Sequence, residues 1–245
     1  MACADVSSAN TVGYMQNNLG ENYTPAGASF VSIGTDGFKL SQLKVIGAPS
    51  GTASKIQIQV LNSLGSATAY YNYYKGGRGA YATEGWYSST TLIDGSDAAH
   101  EVVFPAGQGL WIKGVANLKY ETSGEVLTRN LSVTLGDNYT MVANPFAAPI
   151  KLSQLIIAGA PSGTASKIQI QVLNSLGSAT AYYNYYKGGR GAYATEGWYS
   201  STTLIDGSDA AHEVEFPAGQ ALWIKAVNGV TATITCPYTL TEAAK

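Results

Sequence analysis

Two histidines are the side chains of this sequence that titrate near neutral pH and could serve as a catalytic base. They are His100 and His212, which lie in two copies of one segment. Each is followed by glutamate, but the second histidine of a zinc protease motif does not follow. No G-x-S-x-G nucleophile motif occurs either. We therefore predict structural or merely exposed histidines and a protein that is not an enzyme.

Two acidic clusters flank these histidines, and they consist of Asp94, Asp97 and Glu101 in the first copy and Asp206, Asp209 and Glu213 in the second. Carboxylates in a glycine-containing loop can bind calcium, which prefers several oxygen ligands. The spacing matches no EF-hand loop, and aspartates also form turns by accepting hydrogen bonds from nearby backbone N–H groups. The sequence favours turn formation, with calcium as the alternative, and predicts no other cofactor.

Aromatic density is the strongest candidate for a binding feature. The residues concerned are Tyr70, Tyr71, Tyr73, Tyr74 and Trp86, with their copies Tyr182, Tyr183, Tyr185, Tyr186 and Trp198. Alternation along a strand places aromatic rings on both faces of the sheet. The outward rings could stack on sugars, bury against another subunit, or only pack across strands and stiffen the sheet.

The cysteines are Cys3 and Cys236, one near each end of the sequence. A bridge within the chain would close almost all of it and contribute about 5 kcal/mol in the chain-entropy model. A bridge between consecutive molecules would join tail to head. Two unpaired thiols are the third possibility, and the sequence alone does not choose among them.

An internal repeat determines the predicted organisation. Residues 47–102 recur without a difference as residues 159–214, and weaker similarity continues on both sides. We predict two tandem domains of near-identical sequence, 1–125 and 126–245. The join lacks a flexible linker, so the domains should lie close together. The first copy has additional residues in the glycine-rich segment 24–38, which is predicted to be a surface loop.

Strand and turn signals fill each repeat. In residues 55–60 hydrophobic and polar side chains alternate, which predicts a half-buried strand with Ile56, Ile58 and Val60 inside and Lys55, Gln57 and Gln59 outside. A turn at 62–66 leads to a partner strand at 67–74. Seven or eight short strands per repeat, without a long amphipathic helix, predict an all-β fold of two β-sandwich, jelly-roll-like domains.

Composition excludes several classes of partner. The net charge is −2 and only 12% of residues are charged, so the chain has no basic field for nucleic acid or for an anionic membrane surface. No apolar run is long enough to span a bilayer, so membrane insertion is not expected. The start of the sequence, with Ala2-Cys3-Ala4, fits the end of a signal peptide and predicts a mature secreted chain behind an initiator methionine.

Three segments carry a family resemblance. They are residues 10–14 (N-T-V-G-Y), residues 136–144 (G-D-N-Y-T-M-V-A-N) and the F-P-A-G-Q-x-x-W motif at 104–111 and 216–223. Together they resemble a family of uncharacterised secreted bacterial β-domain proteins, often with repeated domains, that has no assigned activity. The resemblance implies an all-β fold and secretion, and nothing about chemistry.

Identical outward residues in both repeats follow from a recent duplication or from a shared surface role. The second explanation predicts a structural subunit that assembles head-to-tail with copies of itself into an extracellular filament, sheath or surface layer. Addition of the strand at 12–15 to a neighbour's sheet would serve such assembly. The alternative is a tandem polysaccharide-binding module or adhesin that uses the exposed Tyr and Trp residues.

Overall fold

The structure, a computed structural model, describes residues 12–50, 55–77, 79–163, 167–189 and 191–238. In this part of the chain every helix is a three-residue 3₁₀ turn, and the remaining regular structure is β-strand. The predicted all-β fold is therefore confirmed. None of the described helices has the length and apolar character that a bilayer crossing requires.

The strands follow the same order in the first half of the chain (residues 12–125) and in the second half (residues 126–238). Those of the first half are Val12–Leu19 (β1), Asn22–Ala26 (β2), Gly37–Lys39 (β3), Lys44–Ile46 (β4), Ile56–Leu61 (β5), Ala67–Tyr74 (β6), Gly85–Ser88 (β7), Thr91–Ile93 (β8), Val103–Pro105 (β9), Leu110–Gly114 (β10) and Leu118–Glu125 (β11). Those of the second half are Leu131–Leu135 (β12), Asn138–Ala143 (β13), Ile150–Lys151 (β14), Leu155–Ala158 (β15), Ile168–Leu173 (β16), Ala179–Tyr186 (β17), Gly197–Ser200 (β18), Thr203–Ile205 (β19), Glu215–Phe216 (β20), Ala221–Ala226 (β21) and Val230–Ile234 (β22).

Each half contains two main antiparallel sheets. In the first half a three-stranded sheet has the order β1-β11-β4 and a six-stranded sheet the order β2-β10-β5-β6-β7-β8. The second half repeats both orders, with β12-β22-β15 and β13-β21-β16-β17-β18-β19. Small two-stranded sheets, β3-β9 and β14-β20, complete the halves.

The hydrophobic core of each half lies between its two main sheets. In the first half Tyr120 and Val45 of the three-stranded sheet join one buried cluster with Ile58, Trp86 and Ile112 of the six-stranded sheet. A second cluster, which begins with Leu127, occupies the other half. This is the β-sandwich arrangement in which two sheets share their inner faces. The exact domain boundary at 125/126 stays a prediction.

The alternation predicted for residues 55–60 is confirmed. Ile56 and Ile58 are buried, whereas Gln57 and Gln59 lie on the other face of β5. The hairpin that joins β5 to β6 is also present, with Ile58 opposite Tyr71. A small bulge interrupts the register between Val60 and Leu61.

The segment 24–38 is not the surface loop that its glycines predicted. Phe30 and Phe38 are 2% exposed, and Val31 forms an isolated bridge with Glu125 at the end of β11. Burial of the two phenylalanine side chains is favourable and holds this glycine-containing segment against the rest of the first half. Gly13 allows the close approach, because a Cβ there would lie 2.0 Å from the Phe30 ring.

The strand at the beginning of the described chain also differs from expectation. Instead of being available to a neighbour along its whole length, β1 pairs with β11 of its own half from Val12 to Leu19. The other edge of β1 is the outer edge of the three-stranded sheet.

Candidate functional site

The two halves contact each other through reciprocal hydrogen bonds. The N–H of Gly27 donates to the carbonyl of Gly219 at 2.8 Å, and the N–H of Ala143 donates to the carbonyl of Gly107 at 2.8 Å. Ala143 is the sequence equivalent of Gly27, and Gly219 is the equivalent of Gly107. The contact therefore has the self-complementary form of a two-fold interface, which closes on itself.

This geometry bears on the predicted head-to-tail assembly. Such assembly would generate an open polymer if the contact between the repeats recurred between molecules. A reciprocal contact is already satisfied when two copies meet, so it does not propagate. Any filament of this protein must use a different surface.

Hairpin tips extend across the junction in both directions. The β5–β6 hairpin offers the carbonyl of Ser63 to the N–H of Tyr139 at 3.2 Å, and the equivalent Ser175 accepts from the N–H of Tyr23 at 3.2 Å. The turn is held by Asn62, whose side-chain oxygen accepts from the N–H groups of Leu64 and Ser66 at 3.0 Å each. Such an Asx turn keeps the tip in a single conformation.

Glycine at the tip lets each hairpin lie against a tryptophan of the other half. Gly65 has a φ of +83°, and a Cβ there would lie 3.3 Å from the Trp223 ring. The equivalent Gly177 faces Trp111, with the corresponding distance at 3.6 Å. A side chain at either position would occupy space beside the indole, and its backbone would be strained.

A cleft of about 360 Å³ opens between these tips. Residues of both halves line it, and most occur as equivalent pairs; they are Gln59 and Gln171, Leu61 and Leu173, Gly65 and Gly177, Trp111 and Trp223, and Tyr139. Its volume lies within the range of small-ligand sites. Beneath it a small apolar cluster that includes Met141 and Ala143 joins the halves.

The tryptophans of the cleft are held by neighbouring tyrosines. Tyr23 stacks on Trp111 with ring centroids 5.3 Å apart and an interplanar angle of 18°. Tyr139 lies at the same distance from Trp223 but is tilted by 57°. Trp111 is 8% exposed, whereas Trp223 is half-buried, so the two sides of the cleft are similar but not identical.

An amide ladder runs outward from the cleft in each half. Gln59 donates through Nε2 to the Tyr23 hydroxyl at 3.1 Å and to Oε1 of Gln57 at 2.7 Å, and Gln57 donates to Oδ1 of Asn72 at 2.8 Å. The second half repeats all three bonds within 0.2 Å. These bonds fix the orientation of each amide group.

In each half of the described chain, the first glutamine of this ladder has a side-chain oxygen that accepts no hydrogen bond. Within the described part of the chain, nothing donates to Oε1 of Gln59 or of Gln171, although both residues line the cleft. No lining residue is ionisable apart from Tyr139. The cleft therefore offers the half-buried indole of Trp223 for stacking, a small exposed part of Trp111, and the amide groups of Gln59 and Gln171 for hydrogen bonds to hydroxyl groups. This combination is the chemistry of sugar recognition.

Among the candidate aromatic residues, the clearest outward-facing cases are Tyr70 and Tyr182, which are 50% exposed. Tyr70 lies directly opposite Gln59 in the β5–β6 register. Tyr74 is also on this face, but it is covered because Tyr81 stacks on it with ring centroids 3.9 Å apart. Tyr186 makes the same stacking contact in the second half.

The other candidate aromatics belong to the core, so of the three roles considered for them the structure shows packing across strands and sheets. Tyr71 and Tyr73 pack edge-on against Phe104 and Trp86, as their copies Tyr183 and Tyr185 do against Phe216 and Trp198. Trp86 and Trp198 are 2% exposed. Their Nε1 groups donate to the carbonyls of Leu43 and Leu155 at 2.8 and 3.0 Å. A satisfied N–H lets a large ring be buried without cost to hydrogen bonding.

The acidic clusters are engaged in local backbone structure. Asp94 accepts from the N–H of Ser96 at 3.0 Å, and Asp97 caps the 3₁₀ turn at Ala98–His100. Glu101 accepts from the N–H of Val102 at 2.9 Å and from the hydroxyl and N–H of Ser41. The copies Asp206, Asp209 and Glu213 make the same contacts. Among the described residues no three His, Cys, Asp or Glu side chains converge as metal ligands.

The histidines pair with the capping aspartates. Nδ1 of His100 lies 2.8 Å from Oδ1 of Asp97, and this hydrogen bond raises the pKa of His100 above its usual value. His212 and Asp209 repeat the pair. Because the pKa is raised on folding, the pair stabilises the fold below the unfolded pKa of histidine and loses that effect as pH rises through the folded pKa.

Replacing Asp97 with asparagine is expected to lower the pKa of His100 toward its ordinary value. Asparagine also caps helical turns, so the change removes charge with little effect on the backbone. An NMR titration of the two imidazole signals measures both pKa values in one sample. His212 keeps its aspartate and serves as the internal control, and equal pKa values in the variant would contradict the assigned pairs.

Cys3 lies outside the described residues, so a bridge to Cys236 stays one of the three alternatives. Cys236 is half-buried, and its N–H donates to the side-chain oxygen of Asn130 at 2.9 Å.

Sequence reasoning missed the cleft residues Trp111, Trp223 and Tyr139. One available signal was the identity of the outward residues Gln57 and Gln59 in both repeats, which core packing does not require. A second was the tryptophan of the F-P-A-G-Q-x-x-W motif, which alternation places on the same face of β10 as Lys113. Neither signal indicates that the two copies face each other.

Comparison with protein-family models, with curated proteins and with solved structures gives no match for this chain. The geometry of the cleft therefore carries the functional argument.

Proposed function

We propose that the protein binds carbohydrate without performing a reaction, as a polysaccharide-binding module or adhesin, and that the cleft between its halves is the binding site. The observation that carries this proposal is the half-buried indole of Trp223, which lines the cleft with the more deeply buried Trp111 and the hydrogen-bonded amides of Gln59 and Gln171. Pyranose rings present apolar faces that stack on indole and hydroxyl groups that donate to amide oxygens.

This proposal differs from the sequence-based version in where the sugar lies. The aromatic strands were predicted to form the platform, whereas the cleft uses one tryptophan from each half. Tyr70 and Tyr182 border the amides and extend the available stacking surface. Secretion or display at the cell surface fits such a function and is part of the proposal.

The test is calorimetric titration with soluble β-glucan, xylan, mannan, chitooligosaccharides, polygalacturonate and sulfated carrageenan. The double variant Gln59→Ala/Gln171→Ala is expected to weaken binding of the preferred glycan about tenfold, because two oriented hydrogen bonds are lost. Tyr14→Ala is the matched control, since Tyr14 is a 62% exposed aromatic on β1, in the three-stranded sheet. Absence of binding to every glycan, or equal losses in both variants, would contradict the proposal.

A second candidate function is self-assembly into a head-to-tail filament, sheath or surface layer. The observation that favours it is the outer edge of β1, where Val12 and Tyr14 are 61% and 62% exposed. The unpaired backbone N–H and C=O groups of an open edge can pair with a strand from another copy, and exposed apolar side chains on that edge favour the contact. Negative-stain electron microscopy of concentrated protein, with and without reductant, is expected to show polymers that Tyr14→Lys abolishes. Strictly monomeric protein at high concentration would contradict this candidate.

A further inference from the structure

Two lysines lie beside the cleft at equivalent positions. Lys113 is two residues beyond Trp111 on β10, so both side chains are on one face of the sheet. The cross-strand neighbours of Lys113 are Tyr23 and Gln57, which support the cleft. Neighbours of this kind have Cβ atoms about 5 Å apart. The ammonium group therefore lies within reach of a ligand that extends from the cleft.

The second half repeats this placement. Lys225 lies two residues beyond Trp223 on β21, and its cross-strand neighbours are Tyr139 and Gln169. Tyr139 itself lines the cleft. A ligand that spans the cleft thus meets a positive charge on each side.

Both charges are available to a ligand. Lys113 and Lys225 are exposed, and neither forms an ion pair within the described part of the chain, where the lysines in ion pairs are Lys75 and Lys187. The strands that surround the cleft contain no Asp or Glu; they are β2, β5, β6 and β10 with β13, β16, β17 and β21. The charged residues within these strands are therefore lysines, whereas the exposed Glu21 and Asp137 precede β2 and β13.

We infer that the ligand is an anionic linear polysaccharide, whose carboxylate or sulfate groups lie against Lys113 and Lys225 while its sugar rings lie in the cleft. This inference rests on the proposed carbohydrate-binding function and adds the chemical class of the glycan. Uronate and sulfate groups share the negative charge, and the experiment separates them.

Single-stranded nucleic acid also combines anionic groups with rings that stack on aromatics. It fits the chain less well, because nucleic-acid sites follow the backbone with a continuous basic groove. Here the strands around the cleft carry one lysine per half, Lys113 and Lys225, and a polysaccharide with charges at intervals matches that spacing better.

The test compares polygalacturonate, sulfated carrageenan, neutral β-glucan and oligo-dT by calorimetric titration of the full chain. We expect polygalacturonate or carrageenan to bind at least tenfold more tightly than β-glucan, with affinity falling as salt is raised to about 0.3 M. Lys113→Gln/Lys225→Gln is expected to weaken the preferred anionic glycan about tenfold, since each exposed ion pair contributes modestly.

The matched control is Lys39→Gln/Lys151→Gln, which removes an equivalent pair of charges from the two-stranded sheets of β3 and β14. It is expected to bind like the unmodified protein, and circular dichroism of both variants checks that they fold. Equal, salt-insensitive binding of neutral and anionic glycans would overturn the inference and leave the proposed function standing. Failure of every glycan to bind would remove both. Preference for oligo-dT over all glycans would overturn the inference in favour of nucleic acid.

Discussion

Replacing Trp198 with alanine is expected to lower the free energy of unfolding by about 3–5 kcal/mol, the loss typical of a large aromatic removed from a core. The indole is 2% exposed, packs edge-on against Tyr185 and donates to the Leu155 carbonyl. Alanine leaves a cavity and removes the donor from a buried carbonyl, so two destabilising effects combine. Urea unfolding followed by circular dichroism measures the change.

The comparison that makes this result informative is Tyr182→Ala. Tyr182 is 50% exposed, and its replacement is expected to lower the free energy of unfolding by about 1 kcal/mol or less. Trp86→Ala should match Trp198→Ala, because the two sites are equivalent. If Trp198→Ala lowered the free energy of unfolding no more than Tyr182→Ala, the indole would be a surface residue and the assignment of the core would be wrong.

Replacing Gly27 with valine is expected to reduce glycan binding at least tenfold by separating the halves. A Cβ at this position would lie 2.3 Å from the Cβ of Ala143 and 3.0 Å from the carbonyl oxygen of Gln108. Such overlap cannot be relieved by rotating a side chain, so the backbones must move apart. Overpacking of this kind lowers the free energy of unfolding by about 1–3 kcal/mol. The hydrogen bond from Gly27 to Gly219 would be lost with the same movement.

Calorimetric titration with the preferred glycan measures this effect, with Gly20→Ala as the control. A Cβ at Gly20 would meet only the Thr24 hydroxyl oxygen, at 3.6 Å, which is an ordinary contact. Gly20→Ala should therefore bind normally. Normal binding by Gly27→Val would show that the site does not depend on the close approach of the two halves.

The sequence predicted the local structure well where alternation is strict. Ile56, Ile58 and the hairpin to β6 follow directly from period-two burial, and their copies follow from the repeat. Short strands such as β3 and β14 carry too few residues to show a period, and they form because Phe38 and Ile150 face partners far along the chain. Tertiary contacts determine such elements, so a single sequence does not reveal them.

The candidate site was less predictable, for a physical reason. The faces of a strand can be separated by alternation, but which face is covered depends on the neighbouring sheet. Trp86 and Tyr87 are adjacent in sequence and both are buried, one in the core and one beneath the outer rings of Tyr74 and Tyr81. The pairing of Trp111 with Trp223 depends on a reciprocal contact between distant segments, which local pattern does not encode.

The most direct test of the account uses the four tryptophans as internal probes. Trp111 and Trp223 lie in the cleft, whereas Trp86 and Trp198 lie in the two cores. The indole N–H signals of ¹⁵N-labelled protein should be followed by NMR while the glycans of the binding panel are added in turn. We predict that a bound glycan shifts the Trp111 and Trp223 signals and leaves those of Trp86 and Trp198 in place. Binding that moves neither cleft signal would contradict the assignment of the cleft as the site.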